Sequence, residues 1–157
     1  MTLRDATEAD LPAFADIFTD AIRAAGPSVY TPAQLRAWLA SADDPAAYGR
    51  RVLRDRAFLA EFGSRPVGFT TLAPDGHVNM LFVRGEAHRR GVGSALLQAV
   101  LTAADEAGIP RLYAETNPFS LPVFRRAGFA QVGTEEVELR GERFTRSLVE
   151  RRAPKAG

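Results

Sequence analysis

Apolar positions along this chain follow two rhythms. Leu11, Phe14, Ile17, Phe18, Ala21 and Ile22 recur at three- and four-residue steps, which predicts an amphipathic helix. Thr7 with Asp10 three residues on reads as a capping box before it. Gly26-Pro27 ends it. A short strand, Thr2–Arg4, comes first. Pro32 suits the first position of a second helix, Pro32–Ser41, with Leu35, Trp38 and Leu39 inward. Pro45–Arg54 reads as a third, short helix. The rhythm then shortens to that of strands, Ala57–Phe62 and Pro66–Leu72, joined by a Gly63-Ser64 turn.

Pro74-Asp75-Gly76 predicts another turn, followed by a strand over His77–Val83. After a polar loop the helical rhythm returns from about Gly91 to Ala107, with Val92, Leu96, Ala99, Val100 and Ala103 on one face. Gly108 and Pro110 stop it. A strand Arg111–Glu115 follows, expected to lie parallel to His77–Val83 because a helix separates them. A helix near Phe119–Ala127 ends at Gly128. A hairpin, Phe129–Leu139 and Arg143–Val149, turns at Arg140-Gly141-Glu142. The order predicts an α/β fold, one domain over 1–150 with a mixed, mostly antiparallel sheet and helices on its faces. Residues 151–157 read as a frayed tail.

Composition narrows the function classes. With 157 residues, the chain can bury a substantial core. It has no cysteine, which removes thiolate catalysis, disulfides and zinc–thiolate sites. Two histidines without a carboxylate cluster suggest no metal site. A formal net charge of +1 and arginines interspersed with glutamates over 135–152 give no nucleic-acid stripe. No apolar run would cross a bilayer and no signal-peptide pattern opens the chain, so a cytoplasmic protein without membrane contact is expected.

The chemistry concentrates at His88-Arg89-Arg90-Gly91-Val92-Gly93-Ser94. Glycines at a helix start let an anion approach unpaired N–H groups, and two arginines add charge there. Read alone, the same residues could simply start a helix. A dinucleotide crossover is the other reading, with Glu115 as ribose acid. Against it stand Leu96 at the third fingerprint position, seven residues between Val83 and Gly91, and antiparallel strands upstream. A P-loop is excluded because no Gly-Lys-Ser/Thr follows.

With that loop placed, the chain resembles the GNAT family of N-acetyltransferases. Met80-Leu81-Phe82-Val83 followed by His88-Arg89-Arg90-Gly91-Val92-Gly93 is similar to the family's strand, loop and helix-opening motif. Asn117, Ser120, Gly128 and Phe129 fit its next motif in register. Tyr30 to Trp38 resembles a segment of a bacterial subgroup of mostly unassigned substrate. The resemblance implies acetyl-CoA as co-substrate and a small-molecule or peptide amine as acceptor, and it is compatible with a homodimer. It implies that Leu81, Phe82, Val83, the loop from His88 to Ser94, Asn117 and Phe124 hold CoA, with strand N–H groups polarising the thioester carbonyl. Two positions depart from the family: His88 stands where Gln or Arg is usual, and Phe124 stands where many members carry a proton-donating Tyr.

Acyl transfer also needs the ammonium proton removed, from a pKa of about 10. Glu115 is the first candidate base. Its strand face is shared with Arg111 and Tyr113, so a surface carboxylate paired with an arginine is the competing role. His77 and Asn79 could order a relaying water, although His77 beside a glycine turn also reads as an exposed bystander. Tyr30, Tyr113 or Ser120 could protonate the thiolate. Tyr30 could instead fill the core, as is expected of Trp38. Arg125 and Arg126 could meet a CoA phosphate or form a solvated helix face. The rival functions are a non-catalytic acyl-CoA-binding module, an NAD-dependent oxidoreductase, and an interaction domain that has lost its ligand.

Overall fold

A computed structural model describes residues 1–154. Strand β1 (Thr2–Asp5) leads into helices α1 (Leu11–Ala25), α2 (Pro32–Leu39) and α3 (Pro45–Val52). Strands β2 (Arg56–Phe62), β3 (Arg65–Leu72) and β4 (Leu81–Val83) follow, then α4 (Val92–Ala107), β5 (Arg111–Thr116), α5 (Leu121–Arg126), β6 (Ala130–Leu139) and β7 (Glu142–Arg152). The expected α/β domain with helices on its faces is observed. Its sheet divides into two antiparallel parts, ordered β1-β2-β3-β4 and β5-β7-β6.

Both faces of the first sheet are covered, which explains the nearly continuous apolar runs of β2 and β3. Ala57, Leu59 and Phe69 face α1 and α3, while Phe58, Ala60 and Val67 face α4. Helix α4 is apolar over more of its surface than the expected stripe. Leu97, Leu101 and Ala104 are buried as well, because the helix lies against the first sheet and β5 together. Asp10 does cap the first helical segment: its carboxylate accepts from Thr7 N–H at 2.8 Å and from Arg4 at 2.7 and 2.8 Å.

Three expectations change. The strand expected over His77–Val83 forms only at Leu81–Val83, because the segment changes sheets on its way. Val78 N–H donates to Tyr113 O at 2.9 Å and His77 forms a single parallel bridge with Tyr113, whereas Thr71 N–H donates to Met80 O at 3.2 Å. The crossing needs glycine at Gly76, where φ is +96° and a Cβ would lie 1.9 Å from Arg111 O. Arg151, Arg152 and Ala153, read from the sequence as tail, are held in place. β7 continues through Arg152, and Ala153 N–H donates to Pro110 O at 2.9 Å. Lys155–Gly157 lie outside the described residues. Finally, the dinucleotide alternative loses its framework, since β4 and β5 flank α4 without forming a parallel pair.

Candidate active site

The two sheets diverge beside β4, and the opening holds two cavities that meet there. The first is a groove of about 490 Å³ between α1, β4, the start of α4 and the Asn117–Val123 turn. The second, the inner cavity of about 440 Å³, lies between α2, α3, β5 and the β6–β7 hairpin. Both are lined by Leu81, Phe82, Asn117 and Ser120, so an extended molecule in the groove ends at the mouth of the inner cavity.

The groove's floor is backbone. Gly91 caps α4 with φ +78°, in the left-handed region that glycine enters without strain because it lacks a Cβ. The N–H groups of Val92, Gly93 and Ser94 open the helix and have no partner within it. Val92's side chain points into the core, so only its main chain serves the site. Arg89 also sits at positive φ, +62°, in the tight turn ahead of the helix. The loop before it is pinned to α1: Gly85 N–H donates to Asp20 at 2.9 Å, and buried Arg84 pairs with Asp16 at 2.7 Å. His88 Nε2 donates to Val83 O at 2.8 Å, holding the loop against the strand end.

The exposed edge of β4 completes the groove. The register makes Phe82–Phe69 a hydrogen-bonded pair, between Thr71–Met80 and Arg84–Val67. Phe82 N–H is therefore engaged inside the sheet. The N–H groups of Leu81 and Val83 point the other way, into the opening. Within the strand ending in Phe82-Val83, Leu81 and Val83 are thus the residues whose N–H groups face the opening.

Most of the expected CoA-binding residues line this groove; Arg90 and Phe124 do not. Arg90 turns away and lies over the Phe62 ring, 4.2 Å from its centroid. Phe124 is 2% exposed, packs edge-on against Phe129 at 5.0 Å, and reaches only the wall of the inner cavity. Asn117 acts through its own turn: Oδ1 accepts from Phe119 N–H at 3.1 Å and Ser120 N–H at 2.8 Å. Arg126 lines the groove, whereas Arg125 binds Gln131 outside it.

In the inner cavity Glu115, Asn79 and Tyr30 come together. Glu115's partner is His77 at 2.6 Å, not an arginine, and each side chain is 23% exposed. His77 is therefore paired and partly buried, not exposed as a residue beside a glycine turn would suggest. It stacks on Tyr113, centroids 4.7 Å apart and planes within 2°, and stands behind Glu115 rather than in the cavity wall. The hydrogen bond to Glu115 raises the His77 pKa, and the hydrogen bond to His77 lowers that of Glu115. Burial raises the Tyr30 hydroxyl's pKa, keeping it protonated. Tyr113 is no candidate acid, because its hydroxyl donates to Asp75 at 2.5 Å outside both cavities.

Much of this cavity is invisible in the sequence. Trp38 is half-buried and lines it, contrary to the expected core role. Tyr48, Phe144 and Arg146 line it too. The alternation of Val137 and Leu139 on β6 marks an inward face, but nothing local says that α2 and α3 close against it.

Comparison with known proteins adds relationships. Residues 27–147 match the family model described as an acetyltransferase (GNAT) domain. The chain is 30% identical over 143 residues to the uncharacterized N-acetyltransferase YafP of Escherichia coli K12, covering 91% of this chain and 90% of that protein. A GCN5-related N-acetyltransferase from Rhodopseudomonas palustris superposes with a TM-score of 0.90 at 27% identity, covering 97% and 95% of the two chains. The PaiA N-acetyltransferase of Thermoplasma acidophilum, solved with coenzyme A, superposes at 0.78 with 15% identity, covering 97% and 98%.

Proposed function

Because the chain belongs to the GNAT family of acetyltransferases, we propose that its groove holds the acetyl-CoA of an N-acetyl transfer and its inner cavity the accepting amine. The observation that carries this reading is the junction of the two cavities at β4, where the free N–H groups of Leu81 and Val83 face the opening. The enzyme is an acetyl-CoA-dependent N-acyltransferase.

Acetyl-CoA fits the groove's chemistry. Its pyrophosphate meets the N–H groups of Val92, Gly93 and Ser94, with Arg89 and Arg126 adding positive charge. Acetyl-CoA supplies the activated acyl group. The amine nitrogen bonds to the carbonyl carbon, the Leu81 and Val83 N–H groups hold the developing oxyanion, and the carbon–sulfur bond breaks. Before attack, the ammonium gives its proton through Glu115, which faces the cavity, to neutral His77 behind it, whose pKa the carboxylate raises. Asn79, exposed at the rim, orders water there. Tyr30, kept protonated by burial, offers a proton to the thiolate in place of the family's missing tyrosine. A thiol pKa of about 8.5 lets the thiolate leave without full protonation.

Among the described residues no helix is long and apolar enough to cross a membrane. The proposal includes a cytoplasmic location and an acceptor that is neither nucleic acid nor membrane. Calorimetric titration with acetyl-CoA, CoA and NAD tests it, with thiol release in the presence of amines. Binding of both CoA species with turnover is expected. NAD binding without CoA binding would overturn it, and CoA binding without turnover of any amine would leave a binding module.

A further inference from the structure

Resting on that acyl-transfer reading, we infer that the acceptor is a small monoamine with an aromatic body, an aralkylamine, rather than a polyamine, an aminoglycoside or a protein lysine. Three features of the inner cavity carry the inference.

The first is its lining. Phe18, Tyr30, Trp38, Tyr48, Phe82 and Phe144 all border it. Their rings meet mainly edge to face: Tyr30 lies 5.6 Å from Trp38 and 5.5 Å from Phe144, and Phe18 lies 4.9 Å from Phe82. The partly exposed rings of Tyr30, Trp38 and Phe82, backed by the buried Phe18, Tyr48 and Phe144, offer apolar surface and ring faces to a flat ligand, and the same faces attract one cation. A volume of about 440 Å³ suits one small molecule.

The second is charge. Glu115 and Glu138 are the carboxylate residues bordering the cavity among those described. Strand alternation sets Glu138 on the face of β6 opposite to Val137 and Leu139, away from the interior. One carboxylate, Glu115, then faces the ligand. Two guanidinium groups stand at the border: Arg146 pairs with Glu135 but leaves its buried Nε without a partner, and its charge helps lower the Glu115 pKa, while Arg51 donates to Ser41 O at 2.6 Å. A polycation would carry further ammonium groups past these arginines with no carboxylate to receive them. A monoamine has its single charge met.

The third is closure. The hairpin is tied to α2 across the cavity. Arg140 Nη1 donates to Ala37 O at 2.8 Å and to Ser41 Oγ at 3.0 Å, and Gln34 Nε2 donates to Arg143 O at 2.8 Å. The two walls carrying Trp38 and Phe144 are thereby joined, which bars an extended polypeptide from passing between them.

The experiment uses the whole protein with acetyl-CoA. Phenethylamine and tryptamine are compared with spermidine, an aminoglycoside and a lysine-containing peptide by thiol release. Phenethylamine is expected to have the higher kcat/KM, by about tenfold or more over spermidine and the peptide, as one good aromatic contact accounts for that factor. Trp38 is the chain's one tryptophan. Its fluorescence should therefore change with phenethylamine and stay constant with spermidine at equal concentration. Phe144→Ala is expected to raise the KM for phenethylamine about tenfold while keeping the thermal shift with acetyl-CoA. Equal or better use of spermidine or the peptide, or an unchanged KM in Phe144→Ala, would overturn the substrate assignment. So would acetyl-CoA binding with no turnover of either aralkylamine. Failure to bind acetyl-CoA at all would instead overturn the acyl-transfer reading beneath it.

Discussion

The bond between Glu115 and His77 is strongest while both are charged, and this fixes a pH window. The His77 pKa is raised above its ordinary 6.5, so its share of stability is complete below 6.5 and is lost as pH rises through the raised value. The Glu115 pKa is lowered from 4.5, so its share is complete above 4.5 and is lost as pH falls through the lowered value. The melting-temperature difference between wild type and His77→Gln is therefore expected to be largest between pH 4.5 and 6.5 and to shrink as pH rises through the raised His77 pKa. A difference that does not vary with pH would mean that His77 acts by packing on Tyr113 alone. Glu115→Gln is expected to lower kcat by about 10²–10⁴-fold while acetyl-CoA affinity is retained, measured by single turnover and calorimetry. Phe124 lies in the wall of the inner cavity and not in the groove. Packed on Phe129 and nearly inaccessible, it offers a new hydroxyl no prepared partner. Phe124→Tyr is expected to cost about 1–3 kcal/mol of stability with no faster chemical step, read by denaturant unfolding and single turnover. Glu115 is legible in the sequence as a candidate, but its partner is not, because the two residues lie 38 apart and meet only where the chain changes sheets.

Elements are most legible where one local rule suffices. The stripe of α1, the glycine boundaries of α4 and the β6–β7 turn all follow from spacing and turn chemistry. The segment from His77 to Met80 defeats such a rule, because its apolar alternation is that of a strand while its hydrogen bonds go to two different sheets. At the start of α4 the two glycines serve different ends. Gly91 supplies a backbone angle: the space around it is open, yet φ of +78° would strain any side chain placed there. Gly93 supplies clearance: a Cβ there would lie 3.2 Å from Val123 Cγ1 at the start of α5. Gly93→Asp is expected to abolish CoA binding in a folded protein, because it adds negative charge at the anion site and presses on Val123. Circular dichroism and calorimetry check it together, and unchanged CoA affinity would place the phosphates elsewhere.

At the scale of the molecule, the site belongs to neither sheet. The first sheet contributes the β4 edge and the second contributes Glu115. Their order along the chain is legible, but the divergence between them is not, since it depends on how α4 fills the space between sheets. Across that divergence the backbone is joined by Val78 N–H to Tyr113 O at 2.9 Å and Tyr113 N–H to Gly76 O at 3.0 Å. These two amides are natural reporters of whether the halves part. In deuterium exchange, opening of the cleft exposes them without unfolding α4 or either sheet, so they should exchange faster than the amides inside β2 and β3. A ligand spanning groove and cavity would slow them selectively, and its removal would restore them. Uniform protection across all strands, unaffected by acetyl-CoA, would describe a rigid wedge. Graded protection with a ligand-sensitive seam would describe a clamp whose hinge is a pair of hydrogen bonds.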